Sequence, residues 1–258
     1  MMMKVRLVCA AFAVASSVLL AAEPAEQRKP IKDMTPAERQ QLKVKMLAKI
    51  GGGRLARPGS QKGEIVIVNA QKRADAKWLA EVAAYLNKDT HFSVRVADGA
   101  FNAAKPGLVG TMTLYVIDDG SQPRSLIAPD DRWAMCNVSQ LYTDKTPFFT
   151  ARVKKQVSRT FGQLCGGMAS NFEKNLVSAM PKPEDLDDVT DFKLPVDVTA
   201  RMKGYLAPFG MTPATIRTYK IACQEGWAPN PTNDVQKYIW DEVHQLPTNP
   251  LPLVKPTK

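Results

Sequence analysis

The chain has 258 residues, a formal charge of +10, 45% hydrophobic and 23% charged residues. This is ordinary globular composition with room for one large domain, or one domain plus a small appendage, and it contains no internal repeat or low-complexity tract. Its two histidines, His91 and His244, exclude a three-histidine zinc site.

The first residues have the layout of a secretory signal peptide. Lys4 and Arg6 supply the basic start, Leu7 to Leu20 the short apolar run, and Ala21 and Ala22 the small residues before cleavage. Residues 1–22 are therefore expected to be removed and the protein to be secreted or periplasmic. No second apolar run is long enough to span a bilayer, so no transmembrane segment is expected after cleavage. Removing Lys4 and Arg6 lowers the charge from +10 to +8. Such a surplus suits an anionic envelope or extracellular macromolecule, or a peptide. It equally suits an ordinary soluble surface, because the basic residues are scattered among acids. Secretion argues against nucleic acid as the partner.

Residues 23–60 hold one helix and a linker. Thr35 is the N-cap, Pro36 the first helical residue, Glu38 the return arm of a capping box, and Gly51 the stop. Leu42, Met46, Leu47 and Ile50 make an apolar stripe expected to face inward. Residues 61–180 then alternate. Strands are predicted at Glu64–Asn69, Phe92–Ala97, Met112–Ile117 and Trp133–Val138. The helix between the first two turns Trp78, Leu79, Val82, Ala83 and Leu86 inward. The next helix is expected to start at Thr146 as cap with Pro147 at its first position, and it repeats Phe149, Val153, Val157 and Phe161. Residues 181–258 change character. An acidic, proline-bearing loop leads to a helix closed by Pro208 and Gly210, a second opened by Thr212 and Pro213, and a last one before a proline tail. The fold class is α/β (α+β): a mixed, mostly single sheet with packed helices, plus a helical C-terminal extension packed on the core.

The most informative stretch is "RTFGQLCGGMA", Arg159 to Ala169. Its glycines fall at the spacing of H-E-x-G-H-x-x-G-x-x-H, whose two histidines at i and i+4 share a metal while the glutamate activates water. Gly162 and Gly166 match. Arg159, Thr160, Gln163 and Ala169 stand where His, Glu, His and His belong. Met180, in "SAM", sits where a Met-turn would follow. On these residues and on the element order, the chain resembles an archaemetzincin-like zincin that lacks the zinc ligands. The resemblance implies a mixed zincin-like sheet whose last strand, Trp133–Val138, runs before the active-site helix, and no catalytic residue carries over. The same glycines equally serve an ordinary helix that packs closely and then ends.

The other chemistry is sparse. Cys136, Cys165 and Cys223 follow the signal peptide, allowing one disulfide and a thiol, or three buried thiols. Cys165 near a helix C-terminus is poorly placed for a nucleophile. Asp118–Asp119, Asp130–Asp131 and Asp187–Asp188 have turn chemistry, the first two with Arg124 and Arg132 as surface partners. Trp227, Tyr238 and Trp240 could form an aromatic shelf for a sugar or peptide, or staple the C-terminal segment to the core. No metal and no cofactor is expected. The reading is a non-catalytic binding protein; the alternatives are a hydrolase using carboxylates or Cys165, and a structural envelope component.

Overall fold

The computed structural model describes residues 31–70, 72, 74–102, 107–167 and 175–245. Residues 1–22, with the layout of a signal peptide, and Ala169 lie outside them. Its strands are β1 (Arg54–Ala56), β2 (Glu64–Ala70), β3 (Val94–Gly99), β4 (Thr111–Ile117), β5 (Ser125–Ala128), β6 (Trp133–Asn137) and β7 (Ile216–Thr218). Its α-helices are α1 (Pro36–Lys49), α2 (Ala76–Thr90), α3 (Thr146–Leu164), α4 (Val196–Leu206), α5 (Tyr219–Gln224) and α6 (Asp234–Gln245).

The main sheet has the order β3-β2-β4-β6-β5. Four strands are parallel, and β5 closes the edge antiparallel to β6, with Ser125 opposite Cys136. Parallel neighbours need a crossover, and α2 supplies it between β2 and β3. Asn69 fixes the entry to α2, with its side chain bonding both the N–H and the C=O of Ala74. Asn87 fixes the exit in the same way, clasping Val94. Leu79, Val82, Ala83 and Leu86 are buried as the helical period requires. They meet Val153, Val157 and Phe161 of α3 over Ile65, Ile67 and Leu114 of the sheet. Trp78 packs edge-on to Phe149 at 5.9 Å.

A second, smaller core joins the two ends of the described chain. β1 pairs with β7, and α1 and α5 both pack on α6. Ala48, Tyr219, Cys223 and Ile239 are buried there.

Four local expectations are corrected. The stripe of α1 faces outward: Met46 is 61% and Ile50 74% exposed, whereas Ala48 on the opposite side is buried. The helix α3 begins one residue early, with Lys145 at the N-cap and no side-chain cap, so Thr146 is already helical. The segment after Thr212 is extended, not helical, because it pairs with residues 54–62; the cap of α5 is Thr218, which accepts from the Ile221 N–H. The strand β5 has no counterpart in the sequence reading. Four residues between proline-bearing turns, half of them exposed, carry no clear period of two.

Candidate functional site

One side of α3 is polar although it is buried. Arg152, Lys155, Gln156, Arg159 and Thr160 are all under 10% exposed, and they recur at i, i+3, i+4, i+7 and i+8, with Gln163 continuing the stripe. Arg159 and Gln163 therefore share a face. That face meets the edge strand β5, strand β6 and the segment 175–189.

Each buried cation on the stripe has a distinct partner. Arg152 grips Asp187 through Nε (3.0 Å) and Nη2 (2.5 Å), with Glu184 at 3.6 Å. Hydrogen bonding to Arg152 holds the Asp187 carboxyl below its ordinary range. Lys155 donates from Nζ to the Leu186 carbonyl at 2.8 Å, and burial lowers its pKa. Arg159 donates from Nη1 to the carbonyls of Leu176, at 2.9 Å, and Ser178. Arg124, just before β5, donates to the Met180 carbonyl of the same segment. The two guanidiniums thus hold one turn, Asn175 to Met180. The turn is built by Asn175, whose side chain accepts from the Val177 N–H and whose carbonyl accepts from the Ser178 N–H. Met180 is buried in the main core.

Two of the guanidiniums, Arg124 and Arg159, lie close enough to repel each other. Burial, then the charge of Arg124, brings Arg159 down to about 10. Burial also lowers Arg124, against the attraction of Asp185 and Glu184. Arg124 Nη1 and Gln156 Oε1 are buried with no hydrogen-bond partner among the described residues. The Thr160 hydroxyl contacts the Cys136 thiol, which burial pushes up to about 12.

This donor set does not fit a divalent cation. Guanidinium, amide and hydroxyl are not the imidazole, thiolate or carboxylate ligands such an ion takes, and the buried guanidiniums beside them are already positive. Among the described residues, no group of three or more His, Cys, Asp or Glu is placed to hold a metal ion.

The glycines are explained locally. Gly167 donates to the Gly162 carbonyl at 2.7 Å and Gly166 to that of Gln163 at 3.3 Å, with Gly166 left-handed at φ +92°. That is a complete Schellman stop. A Cβ on Gly166 would lie 2.5 Å from the Tyr205 ring, so the turn packs as tightly as it winds.

The remaining sequence candidates are dispersed. Cys136, Cys165 and Cys223 are free and buried. Burial raises Cys165, which sits in the main core, while His244 stacks on Trp240 at 4.1 Å on α6. Asp119 closes a turn onto Ser121, and Asp187 belongs to Arg152. Arg124 and Arg132 bond the carbonyls of Met180 and Gly107, not the aspartates expected for them. No ring contact joins Trp227, Tyr238 and Trp240. Trp227 donates to Glu225, Trp240 packs on the small core, and Tyr238 lines a groove of about 490 Å³ between α1 and α6. Arg152, Lys155 and Gln156 escaped the sequence reading, and Arg124 entered it only as a surface partner for an aspartate pair. The signal for the first three was a polar period along α3, as regular as the apolar one.

The architecture is thus that of a mixed α/β protein whose long polar helix lies beneath an antiparallel sheet edge. Similar solved structures are two archaemetzincins and a zinc-dependent peptidase. The archaemetzincin from Methanopyrus kandleri has 12% identity and a TM-score of 0.47, over 59% of this chain and 99% of the other. That from Archaeoglobus fulgidus has 15% identity and a TM-score of 0.41, over 54% and 99%. The peptidase from Methanocorpusculum labreanum has 11% identity and a TM-score of 0.41, over 54% and 100%. No family model matches the chain, and no curated protein matches it. The assignment of the site rests on the chain's own residues.

Proposed function

We propose that this is a non-catalytic protein of the envelope or extracellular space, acting by binding on a scaffold that resembles a zincin's. The observation that supports this is the Arg124–Arg159 pair. Where hydrolysis would need a metal or a general base, the helix presents a buried cation already committed to two backbone carbonyls. A buried guanidinium cannot accept a proton, and here it disfavours a second cation. Thr160 and Gln163 supply no base. The thiol of Cys165 is buried and raised in pKa, the reverse of an activated nucleophile. Secretion belongs to the same proposal and rests on the layout of residues 1–22.

Two measurements test it. Fractionation with mass analysis is expected to find the chain outside the cytoplasm and beginning at Glu23; an uncleaved cytoplasmic chain contradicts the location. Unfolded-protein substrates with and without zinc are expected to remain intact. Zinc-dependent cleavage abolished by Gln163→Ala would overturn the non-catalytic reading.

A further inference from the structure

The side of α1 that the sequence marks as core faces solvent. Leu42, Met46 and Ile50 are one turn apart on a single line of the helix, and Ala48 occupies the opposite side. The reason is the partner. The packing side of α1 meets α6 through small or polar residues, with Gln41 and Val44 at the groove beside Tyr238 and Ala48 in the small core. The larger side chains are left over. Among the described residues nothing covers Met46 or Ile50, at 61% and 74% exposed, and Leu47 is 37% exposed beside them.

Cations flank this line. Lys43 lies on one side of it and Lys49 on the other, with Lys45 beyond. Glu38 is the lone acid of the helix and is engaged in the capping box. Arg39 is spent on the Met34 carbonyl, 3.0 Å from Nε. A helix with an exposed apolar line bordered by lysines has the pattern of one that lies in a membrane interface. Its apolar residues enter the acyl boundary, and the lysines reach out to anionic headgroups.

We infer that α1 docks this protein onto an anionic lipid surface, lying flat with Met46 and Ile50 inserted and Lys43 and Lys49 at the headgroups. The charge complementarity selects an anionic bilayer, and the apolar line separates it from a soluble polyanion, which would need only the lysines. The inference deepens the envelope location proposed above and rests on it; it is independent of the chemistry of α3.

The test uses the processed chain recovered from a secreting host and sedimented with vesicles. One set is phosphatidylcholine, the other phosphatidylcholine mixed with phosphatidylglycerol. Binding is expected to the second set only. Met46→Ser with Ile50→Ser is expected to weaken it about tenfold or more, and so is Lys43→Glu with Lys49→Glu. Both pairs are at the surface, so far-UV circular dichroism and melting temperature should hold. Ile50→Trp should shift its added emission to the blue with anionic vesicles alone. Absence of binding to those vesicles overturns the inference. So does binding that the serine pair leaves intact, which would assign the lysines to a soluble polyanion such as a polysaccharide. The mass of the recovered chain reports on secretion separately, so the two readings fail independently.

Discussion

Replacing Arg159 by methionine isolates what the buried guanidinium does. Methionine keeps most of the unbranched stem, so the cavity term is small. The carbonyls of Leu176 and Ser178 lose their donor, and a buried acceptor left alone costs about 1–3 kcal/mol each. Against this stands relief. The cation is 7% exposed, beside Arg124, and its pKa is already pulled to about 10, so its removal returns part of the desolvation cost. The net expectation is a loss of about 2 kcal/mol, or roughly 4–8 °C in Tm for a chain of this size. Urea unfolding measures the first number. Hydrogen exchange locates it, with faster exchange expected from Asn175 to Met180. Arg159→Lys keeps the charge but not the fork, and should recover only part of the loss. A methionine variant as stable as the parent, with unchanged exchange in that turn, would refute the claim that the guanidinium holds it.

Three further outcomes follow from the geometry. Asp187→Asn strips the buried Arg152 of its bidentate partner and should cost about 2–3 kcal/mol in urea unfolding, with Glu184 compensating in part. Because the folded pKa of Asp187 is depressed, its stabilisation is complete above the ordinary value of 3.8 and is lost as pH falls through the lower folded value. The gap between parent and variant should therefore close in acid, and a gap that persists there would contradict the pairing. Gly166→Ala must carry a left-handed φ and a Cβ against the Tyr205 ring, costing about 2–3 kcal/mol. Gly162→Ala meets the tip of Leu194 at 2.8 Å, with Val177 in ordinary contact at 3.4 Å, and gains helix propensity, so it should stay within about 1 kcal/mol of neutral; equal losses at the two glycines would dismiss the Schellman account. Cys136 and Cys165 should resist a thiol reagent until the chain unfolds, since both are fully buried with raised pKa values; prompt labelling of either in the native protein would contradict their placement.

How much of this was legible in the sequence depended on whether a residue's partner was near in the chain. The cap of α1, the inward face of α2 and the glycine stop of α3 are each set by neighbours within a turn or two, and each stands where the sequence put it. The stripe of α1 failed because its orientation is decided by α6, nearly two hundred residues away, which accepts Ala48 and leaves Met46 outside. Thr212 looked like a helix cap until the distant Lys62 paired with it and drew the segment into extended structure. At the site, the sequence placed Arg159 and Gln163 one turn apart, and the structure sets both on one stripe of α3. What those residues do was not legible. The carbonyls that receive Arg159 belong to a turn whose position depends on the whole sheet, and Arg124 approaches from another strand edge.

The central proposal is that α3, with Arg159 buried beside Arg124, offers no site for a divalent metal. Calorimetric titration of the purified chain with zinc, with metal analysis of the protein before and after dialysis, tests it most directly. The account predicts no stoichiometric tight binding, in the parent and equally in Arg159→His with Gln163→His, where Arg124 remains and the third imidazole is still lacking. One equivalent of zinc that survives dialysis of the parent protein would contradict it.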